Sequence, residues 1–386
     1  EAAGKLRARL TSAAALADLG LVDPATAEIE AVRTAADALG HEPLRLAAAA
    51  AQGHVELQAR RIDEAQRTLE TVYWQANELD ELALMTRAAT ELAFIHGRHR
   101  ADPPTARRWE RHADAALERR GRPPWEHAGL LNVQAANRLT EGDLEAGAAL
   151  FEQAIASLER ARGDRDLEIA VAATNLGEAL SRLGRQPDAE RALERAAAIR
   201  REHYGDEDVS QVSNMVHLAK VRERQGRAEE GVQLLMRART LMERDDPGGH
   251  PWRPAVLTIL GASLGRQERF TEAAEAFSAA IAQLDDAGHH DSQWAKLHKN
   301  LGLVHERLGH AAQAEQHYAL ALSGLDSGDP LRVEALLQVA DFELQRGHRD
   351  RARARLAEAE AEAAASSGPL DRFTSEELER LRRQLG

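Results

Sequence analysis

Apolar residues recur three and four positions apart along almost the whole chain, as in "LRLAAAAAQG" from Leu44 and "TEAAEAFSAAIAQL" from Thr271. That spacing lays one apolar stripe along an α-helix. Strict alternation of β-branched and polar residues, which marks a half-buried strand, is missing throughout. Alanine fills many of the stripe positions, and its small side chain favours the helix and lets two helices approach closely. The pattern therefore predicts an almost all-helical chain.

The stripes also repeat over a longer period. "ATNLGEALSRLGRQPDAERALERA", "MVHLAKVRERQGRAEEGVQLLMRA", "LTILGASLGRQERFTEAAEAFSAA" and "HKNLGLVHERLGHAAQAEQHYALA" align on Gly177, Ala219, Gly261 and Gly302. Twelve residues after each stands another small residue: Ala189, Gly231, Ala273 and Ala314. Four further on comes a large one, Leu193, Leu235, Phe277 or Tyr318, and three beyond that an alanine. The pattern continues outward through Ala135, Gly147 and Phe151 on one side and Ala340, Ala352 and Leu356 on the other. Gly53, Ala65 and Leu69 carry it toward the N-terminus.

Each unit reads as a helical hairpin whose small positions let the second helix cross the first, with the large residue filling the space beside them. A glycine after the first helix, at 142, 184, 226, 309 and 347, can adopt the left-handed conformation that ends it. Proline in "HEPL", "RPPW" and "GDPL" marks helix starts between units. No hairpin buries its apolar face alone, so the units must stack. The expected fold is all-α: a right-handed α-solenoid of about nine helical hairpins plus a C-terminal capping helix.

These positions resemble the tetratricopeptide repeat (TPR), of the long-repeat, kinesin-light-chain-like type, over about residues 44 to 366. The family's Trp at its fourth position and Tyr at its eleventh are not kept; Leu257 and Leu264 stand there in one unit. Expected boundaries are a hairpin of uncertain register at 1–40, repeats at 41–122 with an insertion in the second, regular long repeats at 123–367, and a capping helix at 371–386 with Ser375 as its N-cap. The insertion, "GRHRADPPTARRW", amounts to about four residues. "ALADLG", "ADALGHEPLRLAAAAAQG", "ARRWERHADAALERRG" and "AIRREHYG" are similar to the TPR region of large bacterial, myxobacterial-type serine/threonine kinases, and the chain reads as a piece of a longer protein. No kinase motif is present; "HGRHRAD" lacks the downstream Asn and the D-F-G of a catalytic loop.

Charge and composition then narrow the function. A formal charge of −13 argues against nonspecific nucleic-acid binding. No apolar run is long enough to enter a membrane as a span. The absence of cysteine removes thiolate chemistry and fits a cytoplasmic address. Neither a cofactor nor a metal is implied.

Three patterns imitate catalytic or metal sites. Gly261-Ala262-Ser263-Leu264-Gly265 matches G-x-S-x-G, but a nucleophile elbow needs a strand before the serine, and here a helix is predicted. A hydrolase using Ser263 is the remote alternative. In "VHERLGH", His305 and His310 are five apart rather than the four that share a helix face. His289, His290 and Asp291 are loop neighbours, which rarely converge on one ion. Trp125, Trp252 and Trp294 near helix starts are expected to pack on the preceding unit.

What remains is the surface that stacking creates. In the resembled family the first helices line a concave groove, and the positions facing it are the second, fifth, sixth, ninth, twelfth and thirteenth. Carried over, these are Asn175, Glu178 and Arg182, then His217, Lys220 and Arg224, then Arg266, then Lys296, Lys299, Asn300 and Arg307. Arginine occupies the thirteenth position four times running. Asparagine can bond a peptide backbone, and an arginine ladder can hold carboxylates or phosphates. Arginine at a helix end is also favoured by the helix dipole, with no ligand needed. The expected partner is a protein or an extended peptide segment, acidic or phosphorylated. A more apolar stripe in the N-terminal units, Leu57, Phe94, Ile95 and Leu139, is a candidate face for a partner helix or for packing against the remainder of the protein. The functional expectation is a non-catalytic binding scaffold within a bacterial signalling protein; a peptide-responsive sensor is the alternative.

Overall fold

In the computed structural model the described residues are 2–18, 21–246, 250, 252–286, 288, 290–365 and 370–386. Nineteen α-helices and no strand are found among them. They follow one another in pairs: α1 (Ala2–Asp18) and α2 (Val22–Ala38), α3 (Glu42–Gln58) and α4 (Ile62–Glu78), α5 (Leu82–Phe94) and α6 (Pro103–Arg119). Next come α7 (Pro124–Glu141) and α8 (Leu144–Arg162), α9 (Leu167–Arg182) and α10 (Gln186–Tyr204), α11 (Val212–Arg224) and α12 (Ala228–Asp245). Then follow α13 (Arg253–Arg266) and α14 (Phe270–Asp286), α15 (Ser292–Arg307) and α16 (Ala311–Ser323), α17 (Pro330–Gln345) and α18 (Arg349–Ala365), with α19 (Arg372–Leu385) last. Among the described residues the fold is all-α, nineteen helices in a solenoid-type repeat arrangement, with α11 ending one compact unit and α12 beginning the other. The two units are Glu1–Gln225 and Gly226–Gly386.

The repeating small and large positions make the contact inside the pairs α3–α4, α9–α10, α13–α14 and α15–α16. A methyl placed on Gly177 would lie 2.5 Å from Leu193 Cγ, on Gly261 2.7 Å from the Phe277 ring, and on Gly302 2.7 Å from the Tyr318 ring. Leu193, Phe277 and Tyr318 are all buried. The first helix ends where the chain turns left-handed, at Gly142 (φ 87°), Gly184 (φ 80°), Gly226, Gly309 and Gly347. After α13 a glutamate, Glu268, takes that conformation at φ 60°. Aspartates cap many of the helix starts: Asp143 accepts from Ala146 N–H, Asp166 from Glu168 and Asp329 from Leu331. At α19 the cap is Asp371, which accepts from Thr374 N–H at 3.1 Å, one turn ahead of the expected Ser375. Ser375 instead donates from its hydroxyl to the Asp371 carbonyl.

Within unit 1 the backbones of α1, α3, α5, α7, α9 and α11 approach one another in succession, while successive second helices meet through side chains, as where Tyr73 on α4 bonds His112 on α6 at 2.8 Å and Arg195 on α10 bonds Glu159 on α8. In unit 2, α13, α15 and α17 touch in the same way. The first helices are thus the tighter, inner layer of each unit and the second helices the outer one.

The α5–α6 pair departs from the others. α5 runs into a π-helix, Ile95–His99, before α6. The buried set of α6, Ala106, Glu110, Ala113 and Leu117, has the spacing of Ala65, Leu69, Val72 and Ala76 in α4. It begins thirteen residues after Ala93, where the other pairs have twelve. The inserted stretch therefore shifts register by one residue rather than four, and the wider turn of the π-helix accommodates it. The consequence for the core is that Glu110 stands where its counterparts are Leu69, Phe151 and Leu193. Asn137 donates to its Oε1 at 2.9 Å and to Ala93 O at 3.2 Å, and Arg138 reaches its Oε2 at 3.4 Å.

Candidate functional site

The expected groove residues lie on first helices, so the inner layer brings them to one face of each unit. In unit 1 this face includes Asn175 and Arg182 on α9 and His217, Lys220 and Arg224 on α11. In unit 2 it includes Arg266 on α13 and Lys296, Lys299, Asn300 and Arg307 on α15. Lys220, Arg266, Lys296 and Arg307 are exposed, and Asn300 is half-buried.

Several of these side chains already have internal partners. Arg182 donates to Leu139 O at 3.2 Å, and Arg224 donates to Ser181 O at 2.8 Å and to Ser181 Oγ at 2.7 Å. Both acceptors lie in the last turns of the preceding first helix, where the helix dipole is negative; Leu139 O also accepts from Gly142 N–H, and Ser181 O from Gly184 N–H and the Gln186 amide. These two rungs therefore fasten one repeat to the one before. Each guanidinium carries five donors, so capacity remains after one or two such bonds. Asn175 donates to Asn132 Oδ1 at 3.3 Å, and Lys299 is paired with Glu334 at 2.6 Å. The His217 imidazole is held below its ordinary range by burial, against the pull of Glu178, with Lys220 and Arg200 reinforcing burial.

A second polar network on the inner layer of unit 1 does not figure among the sequence-derived residues. His54 Nε2 lies 2.9 Å from Asp18 Oδ1 and its Nδ1 lies 3.4 Å from Glu91 Oε1, which also accepts from Arg87 at 3.1 Å. Gln58 donates to the same Asp18 oxygen. Burial opposes a charge on His54, but the bonds to the two carboxylates win and raise its pKa to about 9. On α9, Glu168 is held above the usual carboxylate range by burial, by Asp166 and by Asp18. The signal was present: with Gly53 at the eighth position, His54 is the ninth and Gln58 the thirteenth, and with Ala93 there, Arg87 and Glu91 are the second and sixth.

The apolar stripe reads differently in three dimensions. Leu57, Ile95 and Leu139 are buried in the cores of their pairs, and the half-buried Phe94 meets His99 edge-on. Leu57, Ile95 and Leu139 thus face neighbouring helices rather than solvent, and Phe94 alone of the four stays partly open. The tryptophans also divide. Trp294 is buried and donates to Asp285 on the preceding α14 at 2.7 Å, as expected of a packing residue. Trp125 and Trp252 are about half exposed, and Trp125 is covered by Arg162 from its own pair.

Ser263 is 2% exposed in the last turn of α13, without the exposed strand-to-helix turn of a nucleophile elbow. His290 pairs with Asp285, and Asp291 caps α15; His289 lies outside the described residues. Among the described residues no three His, Cys, Asp or Glu side chains are placed to hold a metal ion, and no helix is long and apolar enough to cross a membrane.

Residues 126–202 and 210–286 match the tetratricopeptide repeat family model. Among solved structures, a Rap protein complexed with Competence and Sporulation Factor is similar to this chain at TM-score 0.57 and 12% identity, covering 99% of this chain and 97% of that one. The apo form of RapI is similar at TM-score 0.51 and 11% identity, covering 71% and 94%. A putative kinesin light chain from Podosopora anserina with TPR-like repeats is similar at TM-score 0.45 and 18% identity, covering 50% and 92%. No curated protein sequence matches. The chain carries tetratricopeptide repeats, and its likeness to the solved structures is one of fold.

Proposed function

We propose that the chain is a non-catalytic scaffold that binds a protein partner, as an extended segment, along the inner layer of its first helices. One observation carries this reading: within each unit the stacked first helices repeat an exposed arginine at the same position, Arg182 and Arg224 in unit 1 and Arg266 and Arg307 in unit 2, with Arg224 keeping donors beyond those used on Ser181. A row of cationic groups at repeat spacing suits an acidic or phosphorylated segment, whose carboxylates or phosphates recur along an extended backbone.

The resemblance to kinase-associated repeats supports a place in a larger bacterial signalling protein, such as a serine/threonine kinase. A second reading, a sensor that changes conformation on binding, is favoured by the full-length likeness to a Rap protein solved in complex with Competence and Sporulation Factor. Both readings use the same face.

Fluorescence titration with a labelled Glu-rich peptide and its phosphoserine counterpart tests the proposal. Binding is expected to weaken at least about tenfold in Lys296→Glu/Arg307→Glu and to fall with added salt, with the helical CD signal unchanged. Equal affinity of wild type and variant would refute it. Scattering profiles with and without the peptide separate scaffold from sensor.

A further inference from the structure

The α15–α16 pair differs from its neighbours in what fills its core. At the fourth and eleventh positions, where the preceding unit-2 pair has the buried Leu257 and Leu264, α15 carries His298 and His305. α16 answers with His317, and His310 precedes it. The four imidazoles form a row. His298 Nδ1 lies 3.0 Å from His317 Nδ1, the His317 and His305 rings stack at 5.3 Å and 3°, and His305 Nδ1 lies 3.4 Å from His310 Nδ1.

We propose that this row makes the α15–α16 pair an acid-sensitive joint, in which protonation of His298, His317 and His305 opens the pair while the rest of unit 2 stays folded.

Of the three contacts, His305–His317 stacks two rings, and the other two, His298–His317 and His305–His310, set one ring nitrogen against another. Such a contact is a hydrogen bond only while one nitrogen carries a proton and the other does not. His298 is 4% exposed, and its Nε2 is buried without a hydrogen-bond partner. A charged His298 would leave that second N–H unpaired in the core, which is costly. The groups facing the row offer little relief. From α14, Asp285 is already bonded to Trp294 Nε1 and to His290, which lies before α15. From α17, Glu334 is taken by Lys299, and Asp341 lies near Glu306, which accepts from Tyr318. α13 carries charge only at its two ends, Arg253 and Arg266. Burial and the neighbouring His317 push His298 down to about 4, and burial lowers His305 and His317 as well. The unfolded row takes up protons near the ordinary histidine value of ~6.5. Stability of the closed pair is therefore complete above that value and falls as pH drops toward 4.

The joint has a consequence if the inner face binds a partner as proposed above: α15 bears Lys296, Lys299, Asn300 and Arg307, so opening would withdraw four of the groove residues. The joint itself does not depend on that reading.

Hydrogen exchange on the whole chain, without a partner, at pH 7.5 and pH 5.0 tests it after correction for intrinsic rates. Amides of α15 and α16 are expected to lose protection by about tenfold or more relative to α13, α14, α17 and α18. His298→Leu/His317→Leu is expected to abolish that difference. Uniform loss across unit 2, no loss, or the same loss in a folded variant would overturn the joint. If the double variant fails to fold, ring-proton NMR titration of the wild type decides: depressed titration of the row together with loss of α15 amide signals supports the joint, and ordinary titration without such loss overturns it.

Discussion

Arg224 donates to the carbonyl of Ser181, 43 residues earlier in the chain and in the last turn of the preceding first helix. Arg182 makes the equivalent bond to Leu139, also across 43 residues. A residue expected to grip a ligand therefore also ties one repeat to the one before it. Charge-assisted bonds of this kind contribute about 1.5–3 kcal/mol. Arg224→Ala is expected to lower unfolding stability by about that amount in urea titration, whereas Lys220→Ala, on the same helix, is expected to change it by less than about 0.5 kcal/mol.

The close approach of Gly261 to Phe277 gives a second expectation. A Cβ there would sit 2.7 Å from an aromatic ring that is itself fully packed, so Gly261→Ala should destabilise by about 1–3 kcal/mol through overpacking. Ser263→Ala, two residues away in the same helix, should cost no more than about 1 kcal/mol. Thermal melts of the two variants check the contrast, which is the reverse of what a catalytic serine would show in an activity assay.

His54 supplies a pH dependence of opposite sense to that of the α15–α16 pair. Its folded-state pKa is raised to about 9 by Asp18 and Glu91, so its contribution to stability is fully present below ~6.5 and is lost as pH rises to about 9. The shift corresponds to about 3 kcal/mol. The urea midpoint of the wild type should fall over that window, and His54→Gln should remove most of the fall.

Glu110 offers a test of buried-polar compensation. Asn137→Ala leaves its carboxylate short of a partner and should destabilise by about 1–3 kcal/mol. Adding Glu110→Leu restores the apolar residue of the other pairs and should recover much of that loss, measured as a double-mutant cycle in urea.

The repeat was legible in the sequence because close packing leaves few choices at its small positions. Gly177 faces Leu193 and Gly302 faces Tyr318 for one steric reason, so the same residue types recur at the same interval. The groove residues were legible as positions but not as partnerships. Whether an arginine at the thirteenth position meets solvent or a carbonyl depends on how far one helix is offset from the last, and the interval does not encode that offset. The His54 network was hidden for a similar reason: Asp18, His54 and Glu91 come from three different helix pairs, and only stacking makes them neighbours. Leu57 and Leu139 show the opposite error, in which a position assigned to the groove turns slightly inward and is buried.

The π-helix at Ile95–His99 has a bearing on length. In a straight α-helix one added residue turns everything after it by about 100°, which would swing the next apolar stripe away from its partner. Here the surplus residue is taken up inside a single widened turn, and Ala106, Glu110, Ala113 and Leu117 arrive facing inward as their counterparts do. The array thus holds phase across a counting error. A deletion of one residue within 95–99 is therefore a change this solenoid has a ready place to accept, while the same deletion in α9 or α13 has none.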